Sequence, residues 1–164
     1  MGKIEYPLQQ VLEVKQKRVE DAEKVVQEKK LALEKEEKKL AEREAERNKV
    51  KEHKVDKLRQ LRETLDQASS SPKIQQMKVY LKLVDEKLVI EEKKVKDQKD
   101  QVAIAQKNLD QAKEELQRKR QEVDKLKSHQ KDWEKEMLKE IAIKEGREED
   151  ELGSIIHSIH QRNQ

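Results

Sequence analysis

No cysteine and no phenylalanine occur in this chain, and there is one tryptophan, two prolines and three glycines. Without cysteine there is neither a disulfide framework nor a thiol nucleophile, and the composition suits a reducing compartment. With 2% aromatic and 32% hydrophobic residues against 46% charged, the chain cannot build an ordinary globular core. What remains is a disordered segment or a coiled coil. No apolar run approaches the length of a membrane span, and the opening Met-Gly-Lys-Ile-Glu-Tyr carries neither a signal peptide nor the hydroxyl residue that a myristoylation signal needs at position 6. The expectation is a cytosolic protein with no membrane insertion. An excess of one charge is missing as well: 39 basic and 36 acidic residues leave a net charge of +3. Because both signs are spread along the chain, they describe a solvated face laced with i,i+4 pairs, and no nucleic-acid partner is expected.

A seven-residue period is present. Ile74, Leu81, Leu88, Val95, Val102, Leu109, Leu116 and Val123 form one column without a miss. At 32% hydrophobic composition, eight hits in one register are roughly a one-in-ten-thousand event. Three residues on runs a companion column: Met77, Val84, Glu91, Gln98, Ala105, Ala112, Lys119, Leu126 and Trp133. Together they make a narrow apolar seam on one side of a long helix, which cannot bury it alone. The amino-terminal half supplies the partner. Its strong column is Leu12, Val19, Val26, Leu33, Leu40, Arg47, Lys54, Leu61 and Ala68; its weak one is Leu8, Lys15, Ala22, Lys29, Glu36, Arg43, Val50, Lys57 and Thr64. An offset set, Val55, Leu58 and Leu65, suggests a shift or widening of the seam near residue 50.

Between the two halves lies Ser69-Ser70-Ser71-Pro72, in which Ser71 can cap a helix whose first turn holds Pro72. So short a connection turns the second helix back on the first. The fold class is therefore all-α, a long antiparallel two-helix coiled-coil hairpin in one domain. Arm 1 spans about 8–68, with Pro7 in its first turn; the turn is 69–72, arm 2 about 73–145, and an amphipathic tail 146–164. The first five residues are expected to fray. Matching the strong columns through the turn sets Leu61 opposite Leu81, Leu40 opposite Val102, Leu33 opposite Leu109 and Val19 opposite Val123. The weak columns then place Glu36 opposite Ala105, Lys29 opposite Ala112 and Trp133 opposite Leu8, where the tryptophan would close the open end. Arg43, Arg47, Glu91 and Gln98 gather mid-hairpin, either as a hinge or as a polar layer that fixes register. Past Met137 the heptads fade and Gly146 and Gly153 weaken the helix, yet Leu152, Ile155, Ile156 and Ile159 line one face, which could fold back or dock elsewhere.

No catalytic site, metal or cofactor is expected: there is no glycine-rich phosphate loop, and a two-helix rod offers no concave pocket for acid–base work. His157 and His160 sit three apart, too few ligands for a metal site. Apolar residues off the seam are more informative. Val79, Leu83 and Ile90 form a second stripe near the turn with Tyr80 beside it, which reads either as a contact surface or as a locally wider core.

The run Tyr6-Pro7-Leu8, Val11-Leu12, Lys15, Arg18-Val19, Ala22-Glu23 and Val26 resembles the opening of the YscO/FliJ family of type III secretion stalk proteins, above all its YscO-like chlamydial members. The likeness continues through Arg59-Gln60-Leu61-Arg62-Glu63, Met77-Lys78-Val79-Tyr80 and Lys131-Asp132-Trp133. It implies a hairpin that is a monomer in isolation and works in the cytoplasm, at the cytoplasmic face of the bacterial inner membrane. There it would partner the hexameric secretion ATPase like the γ stalk of rotary ATPases. The end bearing both termini would enter the ring, and the turn would face the export gate, with secretion chaperones as further partners. On that reading Lys15, Arg18, Arg120, Trp133 and Met137 meet the ATPase, while Val79, Tyr80, Leu83 and Ile90 meet the second partner. A prefoldin-like chaperone or a structural spacer hairpin is the competing expectation.

Overall fold

A computed structural model describes residues 5–67 and 70–163. They form two helices, α1 (Gln9–Asp66, 58 residues) and α2 (Ser71–Arg162, 92 residues), with no strand among the described residues. The chain is all-α, an antiparallel helical hairpin. Tyr6, Pro7 and Leu8 form the entry to α1: the Gln9 N–H donates to the Tyr6 carbonyl at 3.0 Å and the Leu12 N–H to the Leu8 carbonyl at 2.9 Å. Pro7 thus occupies the second position of a turn, where its fixed φ is favourable, rather than the first turn of the helix itself. At the restart, the Ile74 N–H donates to the Ser70 carbonyl at 3.2 Å, so Ser70, not Ser71, is the capping residue, and Ser71 and Pro72 open α2. Ala68 and Ser69, assigned to the end of arm 1 and to the turn, lie outside the described residues, as do residues 1–4 of the expected frayed start.

The chain divides into two compact units. One, the terminal unit, joins the chain up to Ala22 with the chain from Glu115 onward; the other, the turn unit, is Glu23–Glu114. In each, α1 and α2 run antiparallel and share one seam. Every buried apolar residue except Tyr6 belongs to the heptad columns: Leu12, Val26, Leu33 and Val50 on α1, with Leu81, Val84, Leu88, Val95, Ala105, Leu109, Ala112, Leu116 and Val123 on α2. The seam is not displaced near residue 50. Of the offset set, Val55 and Leu65 are 64% and 49% exposed, but Leu58 is half-buried alongside Lys54, Lys57, Leu61 and Thr64, so the seam widens at that one residue. Lysine can keep a seam position because its methylene stem covers apolar surface and its charge finds a partner outside. Lys54 does so, reaching Asp85 at 2.6 Å.

The pairing across the seam differs from the column-to-column match. Val50, from the weak column of α1, clusters with Val84 and Leu88, one from each column of α2. Glu36 reaches toward Gln98, one heptad before Ala105: the Gln98 side-chain amide donates to its carboxylate at 2.6 Å and to its backbone carbonyl at 3.0 Å. An inward side chain enters the gap between inward side chains of the facing helix, so strong positions of one arm are level with weak positions of the other. That arrangement also alternates large and small residues through the seam. The expected mid-hairpin gathering of Arg43, Arg47, Glu91 and Gln98 is not bonded together: Gln98 bonds to Glu36, Glu91 pairs with Lys94 at 3.4 Å and Arg47 with Asn48 at 3.3 Å on their own helices, and Arg43 is exposed.

In the terminal unit α2 passes residue 145 without a break and stays helical through Gly146 and Gly153 to Arg162. Glycine costs a helix about 1 kcal/mol relative to alanine, which weakens a turn without stopping it, and no proline follows Pro72. The tail does not fold back. Leu152, Ile155, Ile156 and Ile159 are between 53% and 62% exposed.

Candidate partner-binding surfaces

The terminal unit is closed by an aromatic cluster. Tyr6 is 5% exposed, its ring lies edge-on to Trp133 at a centroid separation of 5.5 Å, and its hydroxyl is hydrogen-bonded to His129 Nδ1. Trp133 therefore does close this end, but against Tyr6; Leu8, set opposite it by the column match, is 38% exposed. An aromatic residue just ahead of a helix start, beside the open end of a hairpin, has the facing helix within reach. That signal was present in Tyr6-Pro7, and His129, off both columns, carried none.

The basic residues of this unit do not form one patch. The Lys15 ammonium donates to the Glu122 carboxylate at 3.3 Å. That bond, with the fields of Lys15, Lys119 and Arg18, holds the Glu122 carboxyl below the usual glutamate range against a small opposing effect of burial. Arg120 instead lines a groove of about 270 Å³ with Gln16, Val19, Val123, Asp124 and Lys127. Two residues apart on a helix, Arg120 and Glu122 project to opposite flanks. Lys15 and Arg18, with Glu122, therefore lie on one flank of the seam, and Arg120 and Lys127, with Asp124, on the other. Met137 is half-buried further along α2.

In the turn unit the off-seam stripe is a surface and not a wider core: Val79, Tyr80, Leu83 and Ile90 are 60%, 43%, 57% and 56% exposed. Tyr80 is fixed in place. Its hydroxyl is 2.7 Å from His53 Nε2, the two rings are edge-on at 5.8 Å, and the Lys57 ammonium lies 5.4 Å from the centre of the tyrosine ring. Three open grooves of about 430, 380 and 420 Å³ meet at this tyrosine. Val79 and Leu83 line them with Tyr80, whereas Ile90 continues the stripe outside them.

No group of three or more His, Asp or Glu side chains able to hold a metal ion occurs among the described residues, and no described helix is long and apolar enough to cross a membrane. His157 is engaged by Gln161 at 3.1 Å.

A charged antiparallel helix pair with one buried seam and open surface grooves is a coiled-coil protein built to present its flanks. The sequence model of the YscO-like protein family matches residues 3–163, and the chain belongs to that family. It is a type III secretion-associated protein. A solved structure from Chlamydia trachomatis, CT670, assigned as a YscO homolog, is similar over 99% of this chain and 100% of its own, at 48% identity and a TM-score of 0.95. A search of curated proteins returns no match.

Proposed function

We propose that the chain is a non-enzymatic stalk or adaptor of a bacterial type III secretion system, partnering the hexameric secretion ATPase from the cytoplasmic face of the inner membrane. The observation that carries this reading is the terminal unit. It contains the start of α1, and the contact of buried Tyr6 with Trp133 braces a helix pair that carries Lys15 and Arg18 beside Glu122 on one flank and Arg120 and Lys127 beside Asp124 on the other. Contacts inside a ring that must let a stalk turn are shallow and partly electrostatic, because deep pockets would lock one orientation. Open grooves and exposed lysines and arginines suit that demand. The stripe at Val79, Tyr80, Leu83 and Ile90 then serves a second partner, the export gate or a secretion chaperone.

The test is ATPase turnover with purified chain added. Arg18→Glu with Arg120→Glu should weaken stimulation, and more so at low salt, where charges are least screened. Tyr80→Ser with Leu83→Ser should leave stimulation intact while impairing secretion in cells. Both variants must first retain wild-type helicity and melting. If the second variant loses stimulation and the first keeps it, the assigned polarity is reversed. A chain that leaves turnover unchanged while suppressing aggregation of unfolded clients is a prefoldin-like chaperone instead.

A further inference from the structure

Lysines bracket the exposed tyrosine of the turn unit along α2. Lys73, Tyr80 and Lys87 stand one heptad apart on α2, so they share a line along the helix, cation–aromatic–cation, with a reach of roughly 20 Å. All three line the grooves that meet at Tyr80. Among the described residues, the only carboxylate lining them is Glu46, and it pairs with Lys49 at 3.6 Å. Among the described residues, Lys57 is bonded to the neutral Gln60, at 3.2 Å, and lies on the tyrosine face. Lys73 and Lys87 have no carboxylate partner among the described residues. In a chain whose charges nearly balance, this is a locally uncompensated cationic rim around exposed apolar side chains.

We infer that this surface receives an acidic amphipathic helix of a partner protein: about four turns, with apolar side chains seated in the grooves beside Tyr80 and Leu83 and carboxylates facing Lys73 and Lys87. Each part of the surface suits such an occupant. Grooves between helices accept side chains at i, i+3 and i+4 spacing. Tyr80 is already held by His53 and Lys57, so little ordering is lost when it becomes an anchor. Cations at both ends of the line set polarity-tolerant but charge-specific recognition, and they repel basic segments. A bilayer is flat and has nothing to insert beside Tyr80, so the grooves favour a peptide over a lipid surface. The inference rests on the stripe being a contact surface, as in the proposed function, but not on the ATPase partnership.

The experiment is a phage-display selection of random peptides of about 16 residues on the full chain, with the Tyr80→Ser/Leu83→Ser variant as counter-selection. Recovered sequences should carry Asp or Glu on both sides of a helically spaced apolar cluster. A representative peptide, followed by fluorescence anisotropy, should weaken about tenfold or more on Lys73→Glu with Lys87→Glu. It should regain affinity when its own acids are changed to lysine. Both lysines are exposed and off the seam, so this variant keeps the fold when the apolar one does not. Recovery of basic, uncharged or no peptides overturns the inference, as does affinity indifferent to Lys73→Glu/Lys87→Glu. So would binding to phosphatidylglycerol vesicles in place of any peptide, or self-association abolished by the Tyr80 variant. Loss of ATPase stimulation by the wild-type chain would overturn the stalk reading and leave this one standing.

Discussion

Leu88 and Val89 are neighbours on α2 with opposite fates, 8% and 65% exposed, and replacing each by alanine tests the seam directly. Leu88→Ala removes three carbons from a cluster with Val50 and Val84. At about 0.8 kcal/mol per buried methylene, the transfer loss is about 2.4 kcal/mol. A cavity would add to that, but a two-helix seam is open along both flanks and its walls can relax. The total should therefore stay near the lower end of the range for Leu→Ala, about 2–3 kcal/mol. Val89→Ala removes little buried surface and gains helix propensity, so its effect should be within about 0.5 kcal/mol of zero, in the stabilising direction. Urea unfolding followed by circular dichroism gives both values. Val50→Ala with Leu88→Ala should fall short of additivity by about 0.5–1 kcal/mol, because the two share one contact. Equal shifts for Leu88 and Val89 would place the wrong face inward, and strict additivity would remove Val50 from contact with Leu88.

Gln98→Ala strips the amide donor from a half-buried carboxylate and should cost about 1 kcal/mol in the same assay. Glu36→Leu with Gln98→Leu should raise the melting temperature instead, since a polar layer fixes register at some cost in stability. The Glu122 carboxyl lies below the usual glutamate range chiefly through its hydrogen bond to Lys15. Its stabilising contribution is thus present above the unfolded glutamate range and lost as pH falls through the lower, folded value. Glu122→Gln should therefore melt below wild type near neutral pH, and the gap should close in acid; a gap that persists there would contradict the assignment. Tyr6→Phe should cost about 1 kcal/mol by removing only the hydroxyl bond to His129. Tyr6→Ala should cost about 3 kcal/mol and red-shift the emission of Trp133, the sole tryptophan.

The buried face was legible from periodicity because every burying position in the helices repeats on a seven-residue grid. Register was not. Column matching assumes that like faces like, whereas side chains interlock, so Val50 of the weak column packs with both Val84 and Leu88, one from each column of α2. Of the offset set, Leu58 does turn inward and is half-buried, but composition misled at Val55 and Leu65, which stay exposed while Lys54 and Lys57 hold the seam. The tail was read as weakened at its glycines, but two isolated glycines tax a helix without ending it. Of the candidate residues, Tyr80 and Leu83 come together with Val79 around shared grooves. The geometry separates Arg18 from Arg120, because sequence proximity to one end says nothing about which flank a side chain takes.

The claim that the terminal unit is the ATPase-facing surface is tested most directly by photocrosslinking. A benzoylphenylalanine placed at Arg18 or Met137, and in separate chains at Leu83, would be irradiated with the secretion ATPase of the same system. The account predicts covalent adducts to the ATPase from positions 18 and 137 and none from position 83. Adducts from position 83 alone, or from no position in the terminal unit, would contradict it.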